Sequence, residues 1–278
     1  MRARIAPTPS GFLHVGNAFN FLVIAELVKT FGGTLVLRID DLDAGRVRKE
    51  YVEDVFSTLE WLGIQVDEGP SGWDDLRRSW SQQLRLDHYR SVVETLKALG
   101  WLYPCTCSRT RIERRGTGPH TCPFADPSEA PPGTPWRLRV PVGHAVRWVE
   151  WGGSEHVIDL ATAMPDPVMV QRDTERPAYQ IASLVDDLEM RIDHIVRGAD
   201  LVPSTACQLY LAQGLDMRPF EHVRFHHHPL ITDPAGRKFS KSAGATSLRS
   251  MRQAGVPIGP MADRAKAHVE ALLARING

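Results

Sequence analysis

Residues 4–17 read Arg4-Ile5-Ala6-Pro7-Thr8-Pro9-Ser10-Gly11-Phe12-Leu13-His14-Val15-Gly16-Asn17, and this stretch decides the fold. Residues 2–6 have the pattern of a short strand, which Pro7 and Pro9 interrupt and Ser10-Gly11 turns. From about Gly16, apolar residues of helical period follow at Phe19, Leu22, Val23, Leu27 and Val28, and Gly32-Gly33 stops them. Parallel α/β sheets bind ligands outside the C-terminal ends of their strands, at the start of the helix that follows. Gly16 would let a phosphate approach the backbone, and His14 is placed to donate to a phosphate oxygen. Taken alone, His14 is a surface histidine in a Pro-rich turn; the order strand, turn, His-x-Gly, helix favours the binding role.

Residues 34–39 form a continuous β-branched and apolar run, as in a buried parallel strand. Residues 47–62 and 79–99 have helical patterns that end at Gly63 and Gly100. This alternation predicts a parallel α/β unit. Residues 104–135 are rich in Pro, Gly and Cys with little periodicity, and mark the centre of an inserted subdomain; 136–140 and 145–151 look like short strands in or beside it. The α/β pattern resumes at Pro167, with strands expected at 168–171, 194–197 and 223–231 and helices at 179–188 and 203–213. A polar loop, 232–244, and a helical tail follow.

The chain has 278 residues, which suits one main domain with a small insertion. No apolar run approaches the roughly 18 residues a membrane helix needs, and the first motif begins too early to leave room for a secretory signal. Four cysteines argue against a disulfide framework and for a reducing cytoplasm. The formal net charge is zero, so RNA contacts would have to be local. Arg109, Arg111, Arg114 and Arg115 are the candidate run, although charge alone favours a solvated helix face. We expect a monomer.

A second motif, Lys238-Phe239-Ser240-Lys241-Ser242, lies in the polar loop. Two lysines among small hydroxyl residues suit an ATP triphosphate, and a cationic loop can stabilise the charge that grows on a leaving pyrophosphate. Weak alone, the motif gains force from its pairing with the first at the opposite end of the α/β pattern.

His14-Val15-Gly16-Asn17 resembles the His-Ile-Gly-His signature of the class I aminoacyl-tRNA synthetases, and Lys238-Phe239-Ser240-Lys241-Ser242 resembles their Lys-Met-Ser-Lys-Ser loop. Residues 4–11, Arg38-Ile39-Asp40-Asp41-Leu42-Asp43, Tyr179 with Val185-Asp186-Asp187, and Arg197-Gly198-Ala199-Asp200-Leu201 narrow the resemblance to the glutamyl branch. It spans nearly the whole chain. Ending soon after the lysine loop, the chain is most similar to the truncated glutamyl-queuosine tRNA(Asp) synthetase family.

That resemblance implies a Rossmann-like catalytic domain in two halves, 1–100 and 167–245. It implies an acceptor-binding-type insertion at 101–166 and a helical segment at 246–278 without an anticodon-binding domain. It implies activation of L-glutamate by ATP without tRNA, then transfer to queuosine in the anticodon loop of tRNA(Asp). Arg4, Thr8, Asp40, Tyr179 and Arg197 match glutamate-binding positions, guanidinium groups being suited to carboxylates. His14 and Lys241 match catalytic positions, and with Gly16, Asn17 and Lys238 they would bind ATP, which brings magnesium. Three positions depart from the pattern: Thr8 stands for Ser, Asp40 for the Glu that meets the substrate ammonium, and Asn17 for the second signature His. Two alternatives remain open: adenylation with a non-tRNA acceptor, and a silent paralogue that binds RNA or a partner protein.

The family also carries zinc in the insertion, on three cysteines and a tyrosine. Cys105, Cys107 and Cys122 are present, but Gly118 takes the tyrosine's place and His120 is the natural replacement ligand. Three free thiols are the alternative. Cys207 reads as a buried structural cysteine. His226-His227-His228 lies in a strand, where at most two side chains share a face, and reads as structure rather than as a metal site. Asp186-Asp187 with Glu189 is read as a fold signature without a metal.

Overall fold

The computed structural model describes residues 1–113, 122, 127–172, 174–231 and 247–277, with backbone alone at Arg109 and Glu113. In chain order these begin with β1 (Arg2–Ile5), α1 (Val15–Thr30), β2 (Thr34–Leu37), α2 (Lys49–Trp61), α3 (Trp73–Asp75) and α4 (Leu86–Ala98). There follow β3 (Leu102–Pro104), α5 (Arg109–Glu113), β4 (Trp136–Leu138), β5 (Ala145–Val149), β6 (Glu155–Asp159), α6 (Leu160–Ala163) and β7 (Val168–Val170). The last part holds α7 (Tyr179–Glu189), β8 (His194–Gly198), α8 (Val202–Gly214), α9 (Arg218–Glu221), β9 (Arg224–His228), α10 (Leu248–Gln253) and α11 (Gly259–Asn277).

The expected parallel sheet forms, in the order β2-β1-β8-β9. β1 runs parallel to β2, with Ala3 opposite Leu35 and Ile5 opposite Leu37, and β8 runs parallel to β9, with His194 opposite Arg224 and Gly198 opposite His228. Ala3, Ile5, Leu35, Leu37, Ile195 and Phe225 are buried, as central parallel strands require. α1 buries Phe19, Phe21, Val23, Ile24 and Leu27, so it is apolar nearly all round. The reason is α11, which packs on α1 and contributes Ala265, Val269 and Leu272 to the same core.

A three-stranded antiparallel sheet, β3-β4-β7, and the β5-β6 hairpin lie between the two halves of the parallel sheet in sequence. The strand expected at 168–171 therefore forms, as β7, but pairs with β4 rather than joining the parallel sheet. β3 and β6 were not anticipated: β3 is three residues long, too short for a period to show.

Two other expectations are corrected in their bounds. The helix expected at 79–99 is broken, with a π-helical turn at Leu76–Trp80 and a 3-10 turn at Gln82–Arg85 before α4. The break falls at Ser81 because Asp41 claims it: Ser81 Oγ donates to Asp41 Oδ2 at 2.6 Å and the Gln82 N–H donates to Oδ1 at 2.7 Å. A carboxylate from elsewhere in the chain thus competes with helical continuity. The strand expected to reach Ile231 stops at His228, before Pro229, which has no N–H for a ladder bond.

Truncating Leu272, which is fully buried between α11 and α1, should cost about 2–5 kcal/mol through lost burial and the cavity left behind. Urea unfolding of Leu272→Ala checks this; a loss below about 1 kcal/mol would mean that α11 is not part of the core.

Candidate active site

The first motif becomes the entry to α1. His14 has an extended backbone (φ −124°, ψ 172°) and is the N-cap. Its Nδ1 accepts from the Gly16 N–H at 3.1 Å, while its own N–H donates to Asn17 Oδ1 at 3.0 Å. This reciprocal pair is a capping box built from His and Asn. With Nδ1 accepting, the neutral ring carries its proton on Nε2, which makes it a donor to a phosphate oxygen. Asn17 is placed beside the same helix end, its amide oxygen committed to the cap. At Gly16 a Cβ would lie 3.1 Å from His14 Cε1, so the glycine leaves room for the imidazole as well as for a ligand. Thr8 is exposed in the preceding turn, where its carbonyl accepts from the Ser10 N–H at 2.9 Å.

The helix α10, which follows the second motif in sequence, is anchored to this entry. The Leu248 N–H donates to the Leu13 carbonyl at 2.8 Å, and the Arg249 guanidinium lies 4.6 Å from the centre of the Phe12 ring. Arg252 donates to Asp54 at 2.7 Å, fixing α10 on α2. Lys238 and Lys241 lie outside the described residues.

Behind the first motif sits a buried ionic cluster. Arg4 Nε donates to Asp187 Oδ1 at 2.8 Å, and Arg38 Nη1 donates to the same oxygen at 2.7 Å. Burial disfavours the Asp187 carboxylate, but Arg4 and Arg38 together outweigh it and hold its pKa below the usual aspartate value. Asp40 faces Arg38, accepting from Nε at 2.6 Å and from Nη2 at 3.3 Å. Here burial wins, and the Asp40 carboxyl is pushed above its ordinary value against the pull of Arg38. Asp186 accepts from Arg85 at 2.7 Å, Tyr89 at 2.6 Å and Gln82 at 2.8 Å. The Asp186-Asp187 pair is thus engaged by protein donors, in keeping with the structural role read from the sequence.

Arg197 lies at the end of β8 and is 3 % exposed. Nη1 donates to Gln208 Oε1 at 2.8 Å and to Thr205 Oγ1 at 3.2 Å. Its Nε and Nη2, and Gln208 Nε2, are buried without an acceptor among the described residues. Burial lowers the Arg197 pKa, and the positive fields of Arg4 and Arg38 add to the effect, while Tyr179 and Asp187 oppose it. Arg4 and Tyr179, far from Arg197 in sequence, are therefore both near it in the fold. Buried donors without acceptors cost about 1–3 kcal/mol each, more when charged, so this corner is suited to an anionic ligand that supplies oxygens.

Three of the four expected zinc ligands lie in one part of the insertion. Cys105, Cys107 and Cys122 form one small cluster with Tyr103 and Ile112. The Cys105 thiol is pushed up to about 12, mainly by burial, with contributions from hydrogen bonds to Cys107 and Cys122. Cys105 is the hub, interacting with both other thiols, but the three sulfurs are not all gathered within 4.8 Å of one another; His120 lies outside the described residues. Cys207 is fully buried in α8, as expected. Arg111 is exposed on α5, and Arg114 and Arg115 lie outside the described residues.

The sequence matches a known family. The class I (E and Q) tRNA synthetase catalytic domain matches residues 1–122 and 136–263. The chain belongs to this family. It is 38 % identical over 272 residues to glutamate–tRNA ligase 2 of Gluconobacter oxydans, covering 92 % of this chain and 58 % of that one. It is 36 % identical to the glutamyl-Q tRNA(Asp) synthetase of Burkholderia mallei (89 % and 82 % covered) and 32 % identical to that of Nitratidesulfovibrio vulgaris (92 % and 82 %). The glutamate–tRNA synthetase structure from Elizabethkingia anophelis superposes with a TM-score of 0.69 at 26 % identity, covering 92 % of this chain and 54 % of that one. The chain thus spans 58 % of the length of the glutamate–tRNA ligase it matches from Gluconobacter. Among the described residues no helix is long and apolar enough to cross a membrane.

Against this synthetase fold, sequence reasoning missed the central place of Arg38, which joins Asp40 to Asp187, and the parts of Thr205 and Gln208 in holding Arg197. Arg38 stood in a quoted motif, and an arginine ending an apolar strand is itself a signal. Thr205 and Gln208 lie on a helix that carried no motif.

Asp187 allows a pH prediction. Its folded pKa is depressed, so its stabilisation is complete above the unfolded value of about 4 and disappears as pH falls through the lower folded value. Asp187→Asn should cost about 3–5 kcal/mol near neutrality, because it leaves two buried guanidinium groups underpaired, and the gap should shrink on acidification. Urea titrations of both proteins between neutral pH and pH 2.5 check this; a gap independent of pH would assign the loss to packing.

Proposed function

We propose that this chain activates glutamate with ATP and transfers it to queuosine in tRNA(Asp). The observation that carries the first half is the buried Arg197 guanidinium, two of whose nitrogens have no acceptor among the described residues. One carboxylate of glutamate would meet it, with Tyr179 beside it, while Arg4 lies close enough to draw the second. The substrate ammonium would face Asp40. Each oxygen of that carboxylate already accepts from Arg38, but a carboxylate has about four lone-pair sites and can accept more.

The α-carboxylate of glutamate then attacks the α-phosphorus of ATP. The bond to the β-phosphate oxygen breaks, giving glutamyl-adenylate and pyrophosphate. No protein nucleophile is needed; the chain supplies position and charge. The Nε2–H of His14 is oriented by the cap to donate to a phosphate oxygen, and Gly16 leaves space beside it. Lys238 and Lys241 would meet the departing pyrophosphate, and magnesium arriving with ATP would screen the triphosphate. A hydroxyl of queuosine finally attacks the glutamyl carbonyl and AMP leaves. The transfer step is supported by relatives named glutamyl-Q tRNA(Asp) synthetases, of which the match covers 82 %. Zinc on Cys105, Cys107, Cys122 and His120 would brace the insertion. Four free cysteines suit the cytoplasm as the setting.

ATP–pyrophosphate exchange should proceed with glutamate and without tRNA, and not with aspartate. Arg197→Ala should lower kcat/KM for glutamate by roughly a hundredfold, the equivalent of about 2.7 kcal/mol. Exchange that prefers aspartate would make Asp40 a specificity change, and exchange untouched by Arg197→Ala would remove that residue from the pocket. Charging of tRNA(Asp) with queuosine, tRNA(Asp) without it and tRNA(Glu) separates the acceptors; esterification of tRNA(Glu) alone would overturn the queuosine assignment.

A further inference from the structure

A second set of donor groups meets where the β5-β6 hairpin touches β9. The alternation of β9 splits its three histidines. His226 and His228 face one side, where His226 Nε2 lies 2.8 Å from His268 Nε2 and His228 Nε2 lies 3.1 Å from Asn20 Oδ1. His227 faces the other side, toward Glu150 at the end of β5 and His156 in β6. The sequence triplet therefore offers one ligand rather than three, and the hairpin supplies its companions.

Glu150 Oε1 contacts His227 Nδ1 and lies 3.3 Å from His156 Nε2. One donor atom from each of the three residues falls within 4.8 Å of the others. Donors at about 2.0–2.2 Å around a tetrahedral ion stand roughly 3.4 Å apart, so small adjustments complete the geometry. The side chains of Glu150 and His227 are 7 % and 3 % exposed and that of His156 is 25 % exposed, so an ion would enter past His156, with a water from that side as its fourth ligand.

Each group is also held from behind. The His227 N–H donates to Glu150 Oε2 at 2.9 Å, turning Oε1 toward the two rings. His156 stacks on Trp148, centroids 4.6 Å apart and planes within 5°. His227 Nε2 lies 2.8 Å from Thr205 Oγ1. With a cation on Nδ1, Nε2 keeps its proton and donates to that hydroxyl, the kind of outer partner that metal-bound imidazoles ordinarily have.

We propose that Glu150, His156 and His227 bind a divalent ion, zinc by the chemistry of the donors, which clamps the hairpin to β9. Two imidazoles and one carboxylate form a mixed nitrogen and oxygen set that zinc accepts. The ion's charge compensates a carboxylate otherwise withdrawn from water. The site uses none of the thiols and is separate from the cysteine cluster. Through Thr205 it also lies behind Arg197, which donates to the same hydroxyl.

The test uses untagged full-length protein, stripped with a chelator and reloaded with zinc or cobalt, comparing wild type with His156→Ala and Glu150→Gln. Elemental analysis should find one zinc equivalent fewer in each variant. Cobalt titration should show a visible band from nitrogen and oxygen ligands that the variants lose, with at least tenfold weaker binding, while any thiolate-to-cobalt charge-transfer band remains. Equal metal content and equal cobalt spectra in wild type and variants would overturn the proposal and leave a hydrogen-bonded network only. His156 is partly exposed, so His156→Ala decides the matter alone if Glu150→Gln does not fold.

Discussion

A carboxylate cut off from water needs cations around it, and Asp187 obtains them from two strands at once. Arg4 belongs to β1 and Arg38 follows β2, so one fully buried oxygen ties α7 to the edge of the sheet where the first motif begins. Its neighbour Asp186 points another way, as successive helical residues must, and gathers Arg85, Tyr89 and Gln82. Gln82 in turn sits beside Asp41, whose capture of Ser81 ends one helix and starts the next. The loop at 40–43 and the segment at 81–85 are thus positioned by the same ionic cluster. Removing a member of such a cluster exposes uncompensated charge, which is why its arrangement constrains everything packed on it.

The same cluster sets the electrostatics around Arg197. Arg4 and Arg38 are answered by Asp187 and Asp40, whereas Arg197 has neutral partners, Thr205 and Gln208, among the described residues. The result is a polarised corner with one guanidinium held ready for an oxygen ligand. Asp40, shorter by a methylene than the glutamate of the resembled pattern, is already engaged by Arg38 on both oxygens. On the proposed reading, Arg38 and the substrate ammonium would share this one carboxylate.

The sequence disclosed the local events. The strand, Pro-rich turn and helix of residues 2–30 follow from the proline positions, the glycines and the apolar period, β2 from its continuous apolar run, and β8 and β9 from the α/β pattern that resumes at Pro167. Long-range events were hidden. Nothing near Ser81 announces that Asp41 will interrupt its helix, and nothing in residues 168–170 says that they pair with β4. For the site, arginines matched to family positions were legible, while Thr205, Gln208, Glu150 and His156 are ordinary residues made significant only by their neighbours. The histidine triplet shows the same limit: strand alternation correctly separates its members, but cannot show what each face meets.

The short helix α10 is tied at once to the turn before α1, through Leu13, and to α2, through Arg252 and Asp54. Segments far apart in sequence therefore meet at one point, and a change at Asp54, outside every quoted motif, would be felt at the entry to α1.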